Sequence, residues 1–228
     1  TLLIGSKQVK AVIEHPRVRA VTLTGSTPAG KAVAAQAGAA IKKTVLELGG
    51  SDPYIILEDA DLDHAVNTCT TSRLINSGQS CVNAKRFIII EPLLAAFTQR
   101  LVAAMRTKKM GDPLVEGTDI GPQARPDLRD DLHKQVLESV AKGATLLLGG
   151  EVPPGEGFYY PPTVLADVKP GMPAYDEELF GPVAAIIKAR DAADAVRIAN
   201  DSVFGLGAAV FTKDAARGER IARDLEAG

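Results

Sequence analysis

At 228 residues, 46% of them hydrophobic and 24% charged, the chain is long enough for one large or two modest domains and too apolar to be disordered. A formal net charge of −2 excludes a dominant electrostatic partner such as nucleic acid or an acidic membrane surface. No run approaches the ~18 apolar residues of a membrane span, and the longest apolar cluster, Phe87-Ile88-Ile89-Ile90, reads as a buried strand.

The chain begins on Thr1 with no basic-then-apolar leader, so a processed or cut piece of a longer chain is expected. Residues 7–15 read as a helix closed by His15-Pro16, because proline disfavours helical geometry in the residue before it. Residues 18–24 read as a strand, with Val18, Val21 and Leu23 supplying apolar and β-branched side chains. Gly25-Ser26-Thr27 then turns into a helix that Pro28 can begin and Thr27 can cap. Such a start presents free N–H groups and the positive end of a dipole, and is either an ordinary capped helix or a phosphate site. That helix runs to about Ala40, and residues 43–48 form the next strand. It leads into Glu47-Leu48-Gly49-Gly50, where the glycines permit a tight turn and the glutamate is either a base at a cleft or a solvated carboxylate.

Residues 53–57 are another apolar strand, after which Asp59 and Asp61 open a helix at its positive end. Leu62, Val66, Cys69 and Arg73 fall on one helical stripe, with Ala65 beside it, so Cys69 reads as a small core residue. The helix stops near Asn76-Ser77-Gly78. Cys81 lies beyond the stop and off the stripe, ahead of a strand over residues 86–90. A cysteine at such a boundary is either structural or a reagent, since reactive groups concentrate on turns between elements.

Residues 92–107 and 127–142 read as amphipathic helices, the first with Leu94, Phe97, Leu101, Val102 and Met105 inward, the second with Leu128, Leu132, Val136 and Val140. Strands follow at 145–148, 164–165, 183–188 and 207–211, with helices at 191–200 and 214–225. Residues 151–162 are irregular, and Glu177-Glu178-Leu179-Phe180-Gly181-Pro182 is a turn with two acids and one ring to bury. Strands alternating with helices predict a mostly parallel, doubly wound α/β sheet. The spacing of Cys69 and Cys81 fits neither a zinc site nor a disulfide framework, so a reduced cytoplasmic setting is expected, with no metal. His15, His64 and His133 are scattered and read as surface residues.

Four stretches, in this order, resemble the aldehyde dehydrogenase superfamily. Thr24-Gly25-Ser26-Thr27-Pro28-Ala29-Gly30 resembles its cofactor-phosphate turn, and Leu46-Glu47-Leu48-Gly49-Gly50 the motif carrying its general base. Gly78-Gln79-Ser80-Cys81 resembles its nucleophile motif, and Glu178-Leu179-Phe180-Gly181-Pro182 the segment that holds the cofactor's ribose and nicotinamide. Asn200 with Phe204-Gly205-Leu206, and Pro161-Pro162-Thr163, match more weakly. The resemblance implies Cys81 as nucleophile, Glu47 as base, and Gly25, Ser26, Gly30, Leu48, Glu178 and Phe180 as cofactor contacts. It implies NAD or NADP as cofactor, an aldehyde dehydrogenase-like fold of mostly parallel, doubly wound sheets with flanking helices, and a homo-oligomer, dimer or tetramer. Residues 1–49 would be the end of a dinucleotide-binding domain and residues 50–228 most of a catalytic one, with parts missing on both sides.

Within that superfamily, Leu48-Gly49-Gly50-Ser51-Asp52-Pro53, Ala84-Lys85-Arg86-Phe87-Ile88 and Lys109-Met110-Gly111-Asp112-Pro113 resemble the bacterial branch acting on succinate semialdehyde. Many of its members carry an arginine for the substrate carboxylate where this chain has Ile75, leaving Arg73 as the candidate substrate contact. Asn83 stands where some members have a second cysteine, so no redox disulfide is expected. The implied chemistry is attack of Cys81 on an aldehyde, hydride transfer to NAD or NADP, and hydrolysis of the Cys81 thioester by water that Glu47 deprotonates. Resolution of the thioester by coenzyme A, or a non-catalytic fragment of the fold, are the alternatives.

Overall fold

A computed structural model describes residues 1–228. Contacts divide the chain into two units, Thr1–Gly49 and Gly50–Gly228. In the first, strands β1 (Ala20–Thr24) and β2 (Lys43–Glu47) pair in parallel, Ala20 beside Lys43 through Thr24 beside Glu47. Helix α1 (Val9–Glu14) stops ahead of Pro16, and α2 (Thr27–Ala39) crosses between the strands. The cap of α2 is Ser26, not the expected Thr27. Ser26 keeps an extended backbone (ψ 153°) and its Oγ accepts the Ala29 N–H at 3.4 Å, whereas Thr27 is already the first helical residue.

The second unit is a six-stranded sheet in the order β5-β6-β7-β4-β3-β8. Its strands are β3 (Asp52–Ile56), β4 (Ala84–Ile90), β5 (Thr145–Leu148), β6 (Thr163–Ala166), β7 (Val183–Ala189) and β8 (Ala209–Phe211). All neighbours are parallel except β5, which pairs antiparallel with β6. The helices are α3 (Leu62–Leu74), α4 (Glu91–Arg106), α5 (Pro126–Ala141), α6 (Pro173–Asp176), α7 (Ala192–Asn200) and α8 (Ala215–Arg223). None is long and apolar enough to cross a membrane.

Alternation along the strands builds two cores. Ile56, Phe87, Ile89 and Ile186 pack with Val66 and Cys69 of α3 and Phe97, Leu101 and Met105 of α4. Ile55, Ile88, Ile90 and Ile187 pack with Leu132 and Val136 of α5, Ile198 of α7 and Ile221 of α8. A strand buried on both faces is apolar throughout, which is why the isoleucine run of β4 stands at the centre of the sheet. Cys69 is fully buried in the first of these cores, and burial pushes its thiol well above the usual range.

Several details differ from the sequence reading. Only Asp61 caps α3, accepting the His64 N–H at 3.0 Å. Asp59 instead accepts from the Thr212 hydroxyl and the Lys213 and Asp214 N–H groups, anchoring the approach to α8. On α5, Leu132, Val136 and Ser139 face inward while Val140 is exposed, because the helix meets the sheet a little off the expected stripe. His133 is half-buried, its Nδ1 3.2 Å from the Tyr160 hydroxyl. Helix α6 was not legible: a single turn begun by Pro173 has too few residues to show a period.

Candidate active site

Strands β3, β4 and β7 start side by side, with Asp52 beside Ala84 and Arg86 beside Ala185. The segments leading into them, Gly50-Ser51, Gly78-Gln79-Ser80-Cys81 and Glu178-Leu179-Phe180-Gly181-Pro182, therefore gather at the amino edge of the sheet. Ligands of open α/β sheets ordinarily gather at the carboxyl edge.

The cysteine turn is bent by three consecutive left-handed residues. After α3 ends, Asn76 and Ser77 stand at φ 52° and 55° and Gly78 at φ 77°. Short polar side chains hold this conformation by hydrogen bonds, one local and one to a segment distant in sequence. Asn76 Nδ2 donates to the Gln79 carbonyl at 2.9 Å, and Ser77 Oγ accepts the Gly121 N–H at 2.9 Å. A Cβ on Gly78 would stand 2.2 Å from the carbonyl carbon of Gly181, so the cysteine turn and the Glu178 turn touch backbone to backbone. Gly50 is nearly as close to the cysteine turn, its missing Cβ 2.5 Å from the Cys81 carbonyl oxygen. Cys81 itself is partly exposed.

Beneath this turn lie buried charges. Arg73 donates from Nη2 to the Gly78 carbonyl at 2.7 Å. Lys85 donates from Nζ to the carbonyls of Ser80 at 3.0 Å and Cys81 at 2.9 Å, and stands 3.3 Å from Glu178 Oε1. Glu178 Oε1 also accepts the Gly50 N–H at 3.1 Å. Asn83 Nδ2 bonds the Arg73 and Ile75 carbonyls, tying the end of α3 to the start of β4. Desolvation brings Arg73 down to about 9, against the opposing pull of Glu178 and Asp52. Desolvation, reinforced by Arg73, brings Lys85 down to about 8. Burial raises the Asp52 carboxyl, with Lys85 and the Gly207 N–H opposing.

Arg73 is not where a substrate contact was expected. It is fully buried, and it braces the turn from inside. The side chain buried in the Glu178 turn is Leu179, while Phe180 is half-buried, reversing the expectation of one buried ring. Lys85, Asp52 and Asn83 were not singled out as parts of the site. Their signal was Lys85-Arg86 at the head of an apolar strand, since cations entering a core need partners.

Arg86 meets that need separately. It donates to the carbonyls of Ser51, Ile198 and Ala199, the last two at the negative end of α7. Arg86→Ala leaves these carbonyls without donors and is expected to cost about 3 kcal/mol or more. A urea midpoint unchanged from the parent would refute this.

Within Thr1–Gly49, Gly25 donates its N–H to the Glu47 carbonyl at 2.9 Å, and the Ser26 hydroxyl serves the cap of α2. A Cβ on Gly30 would stand 2.5 Å from Leu48 Cδ2, so the glycine lets α2 close onto Leu48. Glu47 is exposed at the end of β2. The first turn of α2 carries no acidic residue, so the positive end of this 13-residue helix suits the phosphate of a dinucleotide.

The family described as aldehyde dehydrogenase matches residues 1–228. The chain is 57% identical over 220 residues to the succinate semialdehyde dehydrogenase (NAD(P)+) Sad of Escherichia coli (strain K12), covering 96% of this chain and 48% of that protein. It is 51% identical over 228 residues to a succinate-semialdehyde dehydrogenase (NADP(+)) of Mycolicibacterium paratuberculosis (strain ATCC BAA-968 / K-10), covering 100% and 48%. Among solved structures, a succinic semialdehyde dehydrogenase from Streptococcus pyogenes in complex with NADP+ superimposes with a TM-score of 0.97 at 38% identity, covering 100% of this chain and 50% of that one. The chain spans about half the length of the curated relatives it matches.

Proposed function

This chain belongs to the aldehyde dehydrogenase family, and on that premise we propose that the protein oxidises succinate semialdehyde to succinate with NADP or NAD. The observation that carries the reading is the partly exposed Cys81 on a braced left-handed turn, beside Glu178, in a chain 57% identical to a succinate semialdehyde dehydrogenase.

Cys81 adds as a thiolate to the aldehyde carbon, and its thioester forms as the carbon gives up its hydrogen with two electrons. The nicotinamide dinucleotide, when bound, supplies the acceptor for them. The first turn of α2, capped by Ser26, would hold its phosphate, with Gly25, Gly30 and Leu48 shaping that turn, while Glu178 and Phe180 would hold the ribose and nicotinamide end. Glu47 takes a proton from water, the water adds to the thioester carbonyl, and the Cys81 thiolate leaves as the acid is released. Residues 1–49 would thus supply the phosphate turn and the base Glu47, and residues 50–228 the thiol and the contacts to the ribose and nicotinamide end. We place the whole protein in the cytoplasm as a homo-oligomer, consistent with two cysteines that remain free.

The test is rapid mixing with succinate semialdehyde and either dinucleotide, following reduced nicotinamide. Glu47→Gln should keep a first-turnover burst while steady turnover falls about a hundredfold or more, the range of a lost general base. Equal loss of burst and turnover would remove Glu47 from the water step. Absence of any burst in the unaltered protein would sink the proposed oxidation.

A further inference from the structure

The alternation of β4 breaks at its first residues. Asp52 of β3 pairs with Ala84 and Pro53 pairs with Arg86, so Lys85 is the extra residue of a bulge. Pro53 has no N–H to offer the ladder, which suits a register shift at that point. Bulges re-aim a side chain, and they concentrate beside functional sites. Here the re-aimed side chain is an ammonium that is 1% exposed, set among the buried Asp52, Arg73 and Arg86 and the half-buried Glu178.

Its four near contacts join two segments distant in sequence. The carbonyls of Ser80 and Cys81 belong to the nucleophile turn, and that of Asn83, at 3.5 Å, to the residue before the strand. Glu178 Oε1 belongs to the turn before β7. Of the charged groups around Lys85, Glu178 and Asp52 attract it, and Arg73 from α3 repels it. We propose that Lys85 is a positioning residue whose ammonium couples the carboxylate of Glu178 to the backbone of Cys81, so that a change at Glu178 is felt at the thiol.

Two features favour coupling over simple packing. Glu178 uses the same oxygen for Lys85 and for the Gly50 N–H, and Gly50 itself abuts the Cys81 carbonyl. Moving that carboxylate therefore shifts both supports of the cysteine at once. Lys85 is also brought down to about 8, so the link is charged near neutrality and loses its charge in mild alkali. The inference rests on reading Cys81 as the nucleophile and Glu178 as the cofactor-facing acid, but its test needs neither aldehyde nor dinucleotide.

That test is the rate of Cys81 alkylation by iodoacetamide, with Cys69 silent because it is buried. At about pH 7, Glu178→Gln should speed alkylation about fivefold, and in the Lys85→Met background the same change should fall within about twofold, the limit of additivity. At about pH 9.5 the effect of Glu178→Gln should shrink in the parent, where Lys85 loses its charge, and shrink less in Lys85→Arg, because a guanidinium holds its proton to higher pH than an ammonium in the same place. Comparing each pair at one pH cancels the thiol's own ionisation. Equal effects of Glu178→Gln in the parent and Lys85→Met backgrounds, or no effect in the parent, would overturn the coupling. If circular dichroism shows Lys85→Met unfolded, the Lys85→Arg comparison decides, and identical pH dependence in Lys85→Arg and the parent overturns it. Failure of aldehyde oxidation would sink the proposed function and leave this result standing.

Discussion

Cys81→Ala is expected to abolish aldehyde oxidation, lowering turnover about ten-thousandfold or more and removing the burst entirely. The magnitude follows from what the thiol does: without it no covalent intermediate forms, and loss of a nucleophile costs about that much where an enzyme uses one. The fold should survive, because Cys81 is partly exposed and its side chain supports no core. The contrast is Cys69→Ala, which removes a thiol buried among Val66, Phe87 and Phe97 and leaves the burst intact. Rapid-quench mass spectrometry should find the acyl group on the Cys81 peptide alone. Residual oxidation by Cys81→Ala above about one-hundredth of the parent rate would remove the nucleophile assignment.

Gly78→Ala is expected to destabilise the protein by about 3 kcal/mol or more and to remove the burst with it. Two costs add. A side chain at φ 77° costs about 1–2 kcal/mol in the left-handed region. The new Cβ also falls 2.2 Å and 2.3 Å from the Gly181 carbonyl carbon and oxygen and 2.6 Å from the Pro182 nitrogen. Overpacking costs about 1–3 kcal/mol when side chains can yield, but these atoms are backbone. The Glu178 turn must therefore shift. Gly117→Ala isolates the first cost, since Gly117 has φ 84° with nothing within 4 Å of its added Cβ. It should lose only about 1–2 kcal/mol and keep the burst. Urea midpoints and burst amplitudes of the two variants give the comparison, and similar values for both would mean that the Gly78–Gly181 contact is unimportant.

Much of the architecture was legible because it rests on local pattern. The isoleucine run of β4 and the stop at Asn76-Ser77-Gly78 are each written within a few residues. The candidate site was legible as motifs, and less so as contacts. Arg73 entered as a substrate candidate only because it lies two residues before Ile75, where the related branch carries an arginine, whereas its helical stripe, shared with Val66 and the buried Cys69, already pointed inward. Lys85 was passed over for a different reason. Its importance depends on a one-residue register shift against β3 and on a partner at Glu178, both non-local facts. The cap of α2 shifted to Ser26 because neighbouring hydroxyls compete and backbone geometry chooses between them.

Because Gly50, Cys81 and Glu178 stand just upstream of β3, β4 and β7, the tolerance of this fold to changes in chain length is directional. A residue gained or lost in those entries displaces the Cys81 or Glu178 turn, or slips a strand and exchanges the side chains it packs into the two cores. At the opposite edge, segments such as the one joining β7 to α7 leave the strands with no part in the site. Drift in loop length can therefore accumulate along the carboxyl edge of the sheet while the amino edge keeps its count.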